Sequence, residues 1–153
     1  MQDAPILICY DDTDGSRRAI AAAAELLGPR NAVVLDVFPP LSVGQTTALV
    51  TTGAPGASFQ NVNEEAAYDQ ASAGADHARQ AGFDAEPRAI VATPTWEGII
   101  QFANDIDAAV IVIGSRGFTG LREAVEGSVS HSVAEHAHRP VLIVPPPDEA
   151  ASR

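Results

Sequence analysis

Apolar residues in this chain come in short unbroken runs. Ile6-Leu7-Ile8-Cys9-Tyr10, Ala32-Val33-Val34-Leu35 and Ala108-Ala109-Val110-Ile111-Val112-Ile113 each stop at polar residues or glycine. A continuous apolar run bounded by turn residues predicts a strand buried on both faces of a parallel sheet. Two more strands follow the same logic. Glu86-Pro87-Arg88-Ala89-Ile90-Val91 has a proline that places its start at a sheet edge. Val141-Leu142-Ile143-Val144 is closed by three prolines. Between the strands the apolar period lengthens to that of a helix. The first helix runs from about Ser16 to Leu27, carries Ala19, Ile20, Ala23, Leu26 and Leu27 on one face, and stops at Gly28-Pro29. The second covers Asn63 to Ala81, with Ala66, Ala67, Ala71 and Ala75 as a weakly apolar face and Gly82 as its stop. The third starts at Thr93-Pro94, an N-cap followed by proline at the first helical position, and buries Trp96, Ile99, Ile100 and Ala103. Trp96 fits core packing or a cover over a ligand. The last helix spans Ser128 to Ala137.

Strands and helices therefore alternate, which predicts a doubly wound α/β sheet with helices on both faces. Ligands in such sheets sit beyond the carboxyl ends of the strands, where the strand order reverses. Asp11, Val37 and Gly114 stand at such ends. Asp36 interrupts the second strand and reads as a polar residue near its end. Residues 41–62 lack periodicity and read as a flap beside the site.

The strongest apolar run empties into Gly114-Ser115-Arg116-Gly117, and nine residues further on comes Gly127-Ser128-Val129. A glycine turn lets backbone N–H groups converge on an anion. Ser128 is a good N-cap, and the start of the helix behind it has unpaired N–H groups and a partial positive charge suited to phosphate. The spacing is neither G-x-x-x-x-G-K-[ST] nor G-x-G-x-x-G, and the chain has no lysine. Taken alone, the glycines also fit a βα loop that holds nothing.

Charge narrows the choice. Nine basic residues against 20 acidic ones give a net charge of −11. That field opposes nucleic acid and anionic membrane. It also opposes ATP, so a nucleotide must be held by short-range contacts inside a screening length of about 8 Å. The single cysteine, Cys9, excludes an internal disulfide and falls in a buried strand, where an inert thiol is expected. No apolar stretch is long enough to cross a membrane, and the first residues do not read as a signal-peptide pattern. The expectation is one soluble, cytoplasmic domain over residues 1–153. His131, His136 and His138 lack the i,i+4 spacing of helical metal ligands, and no nucleophile elbow or acid–base pair stands out. ATP hydrolysis, if any, is expected to be slow and incidental.

At these residues the chain resembles the universal stress proteins. Their ATP-binding members carry G-x2-G-x9-G-[ST], matched here by Gly114, Gly117, Gly127 and Ser128. Asp11 followed by Ser16-Arg17-Arg18-Ala19 is similar to the family's opening, and Arg139-Pro140-Val141-Leu142-Ile143-Val144-Pro145 to its close. The resemblance implies a five-stranded parallel sheet in the order 3-2-1-4-5 with ATP at its C-terminal edge. Asp11 and Val37 would border adenine and ribose. Gly114, Ser115, Arg116 and Gly117 would follow ribose and phosphates, and Gly127, Ser128 and the Val129 N–H would bind phosphate. It implies an ATP-binding regulator of the stress response that holds its nucleotide without turning it over. The alternatives are a nucleotide-free dimeric interaction module, a cyclic-AMP-binding member or a slow ATPase. It also implies a homodimer through Val141–Val144, whose apolar edge would otherwise be exposed. Asp12 and Thr13 depart from the glycine and serine that members often have after the first aspartate. Glu126 directly precedes Gly127. Pointing outward it is a solvated carboxylate; pointing inward it makes triphosphate binding depend on Mg²⁺ or Mn²⁺.

Overall fold

The computed structural model describes residues 3–40, 51, 53, 56–115 and 129–147. Five strands form one parallel sheet: β1 (Ile6–Cys9), β2 (Asn31–Phe38), β3 (Asp84–Val91), β4 (Val110–Gly114) and β5 (Val141–Val144), in the spatial order β3-β2-β1-β4-β5. This is the 3-2-1-4-5 arrangement expected. Four described helices connect them: α1 (Asp14–Leu27), α2 (Gly56–Gln80), α3 (Thr95–Asp105) and α4 (Val129–His136).

The unbroken apolar runs are explained by two cores, one on each face. Ile6, Ile8, Tyr10 and Val34 pack with Ala19, Ile20 and Ala23 of α1 and Ala75 and Ala78 of α2. The alternate residues Leu7, Cys9, Val33, Leu35 and Val37 pack with Ile99 and Ala103 of α3 and Val129 and Val133 of α4. Successive strand residues point to opposite faces, so a strand covered by helices on both must be apolar throughout. Each fully buried Ile, Leu or Val contributes about 1.5–3 kcal/mol by leaving water.

Several boundaries differ from the sequence reading. Helix α1 starts at Asp14, not Ser16, because Thr13 caps it: the Thr13 hydroxyl accepts from the Ser16 amide at 3.3 Å, and the Ser16 hydroxyl accepts from the Thr13 amide at 3.2 Å. Leu26 is 67% exposed and lies off the buried face. Helix α2 starts seven residues earlier than expected, at Gly56, so the aperiodic stretch is shorter than 41–62; residues 41–50, 52, 54 and 55 lie outside the described residues. Its buried stripe is Ala67, Ala71, Ala75 and Ala78, whereas Ala66 is exposed. Pro94, not Thr93, is the cap residue of α3, with no side-chain hydrogen bond. Trp96 is half-buried against the second core and stacks on His136 with centroids 4.7 Å apart. The edge position expected for the Pro87 strand is observed.

Gly74 explains how α2 lies so close to the sheet. A Cβ there would sit 2.6 Å from Cγ and Cδ1 of Tyr10 and 2.9 Å from Val34 Cγ1. The bare backbone of α2 therefore rests on the Tyr10 ring.

Candidate functional site

The strand order reverses at β1, which has β2 on one side and β4 on the other. Beyond the carboxyl end of β1 the chain turns sharply. Asp12 has φ 60, a left-handed conformation that aspartate tolerates better than most residues. This is where the resemblance would place glycine, and the backbone requirement is the same. The turn is held from three sides. Tyr10 donates its hydroxyl to Asp12 Oδ1 at 3.0 Å, Arg17 Nη1 donates to the Asp12 carbonyl at 3.0 Å, and Arg17 Nη2 lies 3.5 Å from Asp12 Oδ1. Burial, reinforced by its bond to Asp12, pushes the Tyr10 hydroxyl up to about 12.

This turn aims Asp11. Its Oδ1 accepts from both the Thr13 amide, at 3.2 Å, and the Thr13 hydroxyl. Thr13 thus caps α1 and orients the aspartate, the second job a serine or threonine can do at this position. Asp11 Oδ2 is buried and meets no donor among the described residues.

A cleft of about 440 Å³ opens here between the ends of β1 and β2 and the flank of α2. Asp11 and Asp36 lie in it, with Val37, Phe38, Pro39 and Pro40 along the end of β2 and Asn63, Ala66, Ala67 and Gln70 on α2. Among these described lining residues there are two carboxylates and no cationic side chain. Cys9 pairs with Leu35, so the register continues with Asp36 abreast of Tyr10, and Asp11 comes one residue further along in the same cleft. Asp36 lies near the end of β2, as expected, and is buried there at 6% exposure. Gln70 Nε2 donates to its Oδ2 at 3.0 Å. Burial, and then the charge of Asp11, push the Asp36 carboxyl up to about 6; the Val37 amide and Gln70 pull the other way.

Val37 contributes main chain. The Tyr10 amide donates to the Leu35 carbonyl at 2.9 Å, so Leu35 faces β1. Residues two apart on a strand share a side, which turns Val37 toward β1 after that strand has ended. Its side chain belongs to the core.

Gly114 ends β4, and a Cβ there would lie 3.0 Å from the backbone C and O of Gly15. Its lack of a side chain admits the first turn of α1. The Ser115 amide donates to the Val144 carbonyl at 3.0 Å, so it continues the sheet and is not free for an anion. Val129, 8% exposed, begins α4. Arg116, Gly117, Gly127 and Ser128, together with Arg122 and Glu126, lie outside the described residues.

Cys9 is buried within β1, and burial pushes its thiol up, which leaves it inert as a nucleophile. No group of three metal-ligating side chains occurs among the described residues. None of the described helices is long and apolar enough to cross a membrane. A separate groove of about 450 Å³ beside Trp96 and His136 shares no lining residue with the Asp11 cleft, so Trp96 does not cover it.

A model of the universal stress protein family matches residues 4–145. Universal stress protein YxiE of Bacillus subtilis is 30% identical over 148 residues, which cover 91% of this chain and 97% of that protein. Among solved structures, protein MJ0577 of Methanocaldococcus jannaschii is similar with a TM-score of 0.74 at 22% identity, covering 97% of this chain and 100% of that one. The universal stress protein of Archaeoglobus fulgidus, solved in complex with dAMP, has a TM-score of 0.58 at 23% identity, covering 94% of this chain and 98% of that one. At these identities the structural likeness speaks for the fold.

Proposed function

The chain belongs to the universal stress protein family, and from that premise we propose that it binds an adenine nucleotide and acts as a cytoplasmic stress-response regulator in which the nucleotide is held, not consumed. One observation carries this reading. Asp11 Oδ2 is a buried acceptor in the cleft without a donor among the described residues. A buried acceptor left unpaired costs about 1–3 kcal/mol, and a base amino group or ribose hydroxyl would supply the missing N–H or O–H. The surroundings fit a flat apolar ring: Val37, Phe38, Pro39, Pro40 and two alanines. The dAMP complex of the Archaeoglobus fulgidus relative supports the ligand class.

On this reading residues 1–153 form one nucleotide-binding domain. Asp11 and the main chain of Val37 border adenine and ribose. Gly114, the Ser115 side chain, Arg116 and Gly117 follow the ribose and phosphates, and Gly127, Ser128 and the Val129 N–H take the phosphate. Bound ATP would be accompanied by Mg²⁺ or Mn²⁺ if Glu126 turns inward.

Isothermal titration with ATP tests the proposal, alongside release of co-purified nucleotide read at 260 nm. Binding to the wild type that weakens on the order of 10-fold or more in Asp11→Ala is expected, from loss of a hydrogen bond to a charged group. Undiminished binding in that variant, or no binding to the wild type, rejects it.

A homodimer through β5 is also proposed, because β5 pairs with β4 on one side and Ile143 is 37% exposed. Light scattering at micromolar concentration showing a monomer rejects this part.

A further inference from the structure

The base end of the cleft holds a second carboxylate that the family signature does not include. Asp36 is buried, held by Gln70 from α2, and faces the same cleft as Asp11 from the neighbouring strand. We propose that Asp36, positioned by Gln70 beside Asp11, is a specificity-determining residue that selects an amino-bearing purine over a keto-bearing one. The inference rests on the adenine-nucleotide reading above and deepens it.

The argument is one of donor and acceptor balance. Two ionised carboxylates offer only lone pairs. The other described lining groups near them are apolar, apart from Asn63 and Gln70. One N–H of the Gln70 amide is committed to Asp36, which leaves its other N–H and its oxygen. The two carboxylates are the charged groups of the lining, and as acceptors they call for a donor on the ligand edge that meets them. An exocyclic amino group on a heteroaromatic ring supplies two N–H donors from one neutral atom, one for each carboxylate. A ring carbonyl in the same place would set its lone pairs against theirs, at a lower effective dielectric than in bulk water. The raised pKa of Asp36 shows the same crowding of negative charge before any ligand arrives, since the Asp11 carboxylate is one of its causes. An amino group donating to both carboxylates relieves it.

Specificity of this kind comes from rejecting the wrong partner as much as from attracting the right one. A site whose buried polar groups are left unpaired by an analogue discriminates more strongly than one that merely lacks a methyl contact. ATP carries an amino group at C6 beside a bare N1, whereas ITP carries a carbonyl there beside an N1–H, so ITP offers one donor next to its carbonyl where ATP offers two from a single atom.

Isothermal titration of the full chain with ATP and with ITP at pH 7.5 tests this, in the wild type and in Asp36→Asn. The substitution keeps the shape of the side chain and can still bond Gln70, and a circular dichroism melt verifies the fold. The wild type should prefer ATP by on the order of 10- to 100-fold, the equivalent of one or two unpaired buried acceptors. In Asp36→Asn, whose amide can donate to a carbonyl, that ratio should fall several-fold toward unity. ATP and ITP binding equally to the wild type overturns the inference while leaving nucleotide binding intact. So does a ratio that Asp36→Asn leaves unchanged. Failure of the wild type to bind either nucleotide overturns this inference and the functional reading together.

Discussion

Asp36 should make the protein less stable as the pH rises through the weakly acidic range, and Asp36→Asn should abolish that loss. The carboxyl rises from an ordinary 3.8 to about 6 in the folded chain, chiefly because burial disfavours its charge and secondarily because Asp11 is beside it. Below about pH 4 the group is protonated whether the chain is folded or not, and contributes nothing. As the pH rises through 4 to 6 the unfolded chain releases the proton and the folded chain retains it, so unfolding gains ground. Above the folded value the penalty is complete. Two pKa units correspond to an upper limit of about 3 kcal/mol. Local relaxation and water reaching the cleft reduce this to about 1–2 kcal/mol. Urea unfolding of wild type and Asp36→Asn at pH 4.0, 5.0, 6.0 and 7.5, at one protein concentration, isolates the effect of Asp36 and its coupling to Asp11, because carboxylates that do not interact with it cancel in the difference. Relative to its value at pH 4.0, the stability of Asp36→Asn minus that of the wild type should grow by about 1–2 kcal/mol at pH 7.5. A difference that stays flat across the range, or shrinks, refutes the claim that the folded chain holds this charge at a cost.

Three further outcomes are expected. Gly74→Ala would drive a methyl into the Tyr10 ring; overpacking of this kind costs about 1–3 kcal/mol, and a thermal melt unchanged from wild type would contradict the close seating of α2. Thr13→Ala removes both the α1 cap and a donor to Asp11, so about 1 kcal/mol of stability should go, with ATP affinity falling in parallel, while Thr13→Ser restores both. Cys9 should not react with a thiol reagent such as DTNB at pH 8 until the chain unfolds; rapid labelling of the native protein would show that β1 opens readily.

The order of strands and helices was legible from the chain because both faces of this sheet are covered. That condition forces continuous apolar runs, and Ile6 to Tyr10 and Val110 to Ile113 display it without ambiguity. Asp11 could be nominated because it directly follows such a run. Other features were decided by contacts between residues far apart in sequence. Asp36 looked like an ordinary strand-end residue until the fold set it in one cleft with Asp11 and α2 brought Gln70 to it. Gly74, a weak point in an isolated helix, is what lets that helix reach the sheet. The Ser115 amide appeared free for an anion, but β5 takes it. Local sequence thus determined which segments are strands and which are helices, because burial and backbone preference act over a few residues. Only the tertiary structure decided which carboxylate is charged at a cost, which amide is free and which glycine has no room for a methyl, because desolvation and steric contact depend on what the rest of the chain places nearby.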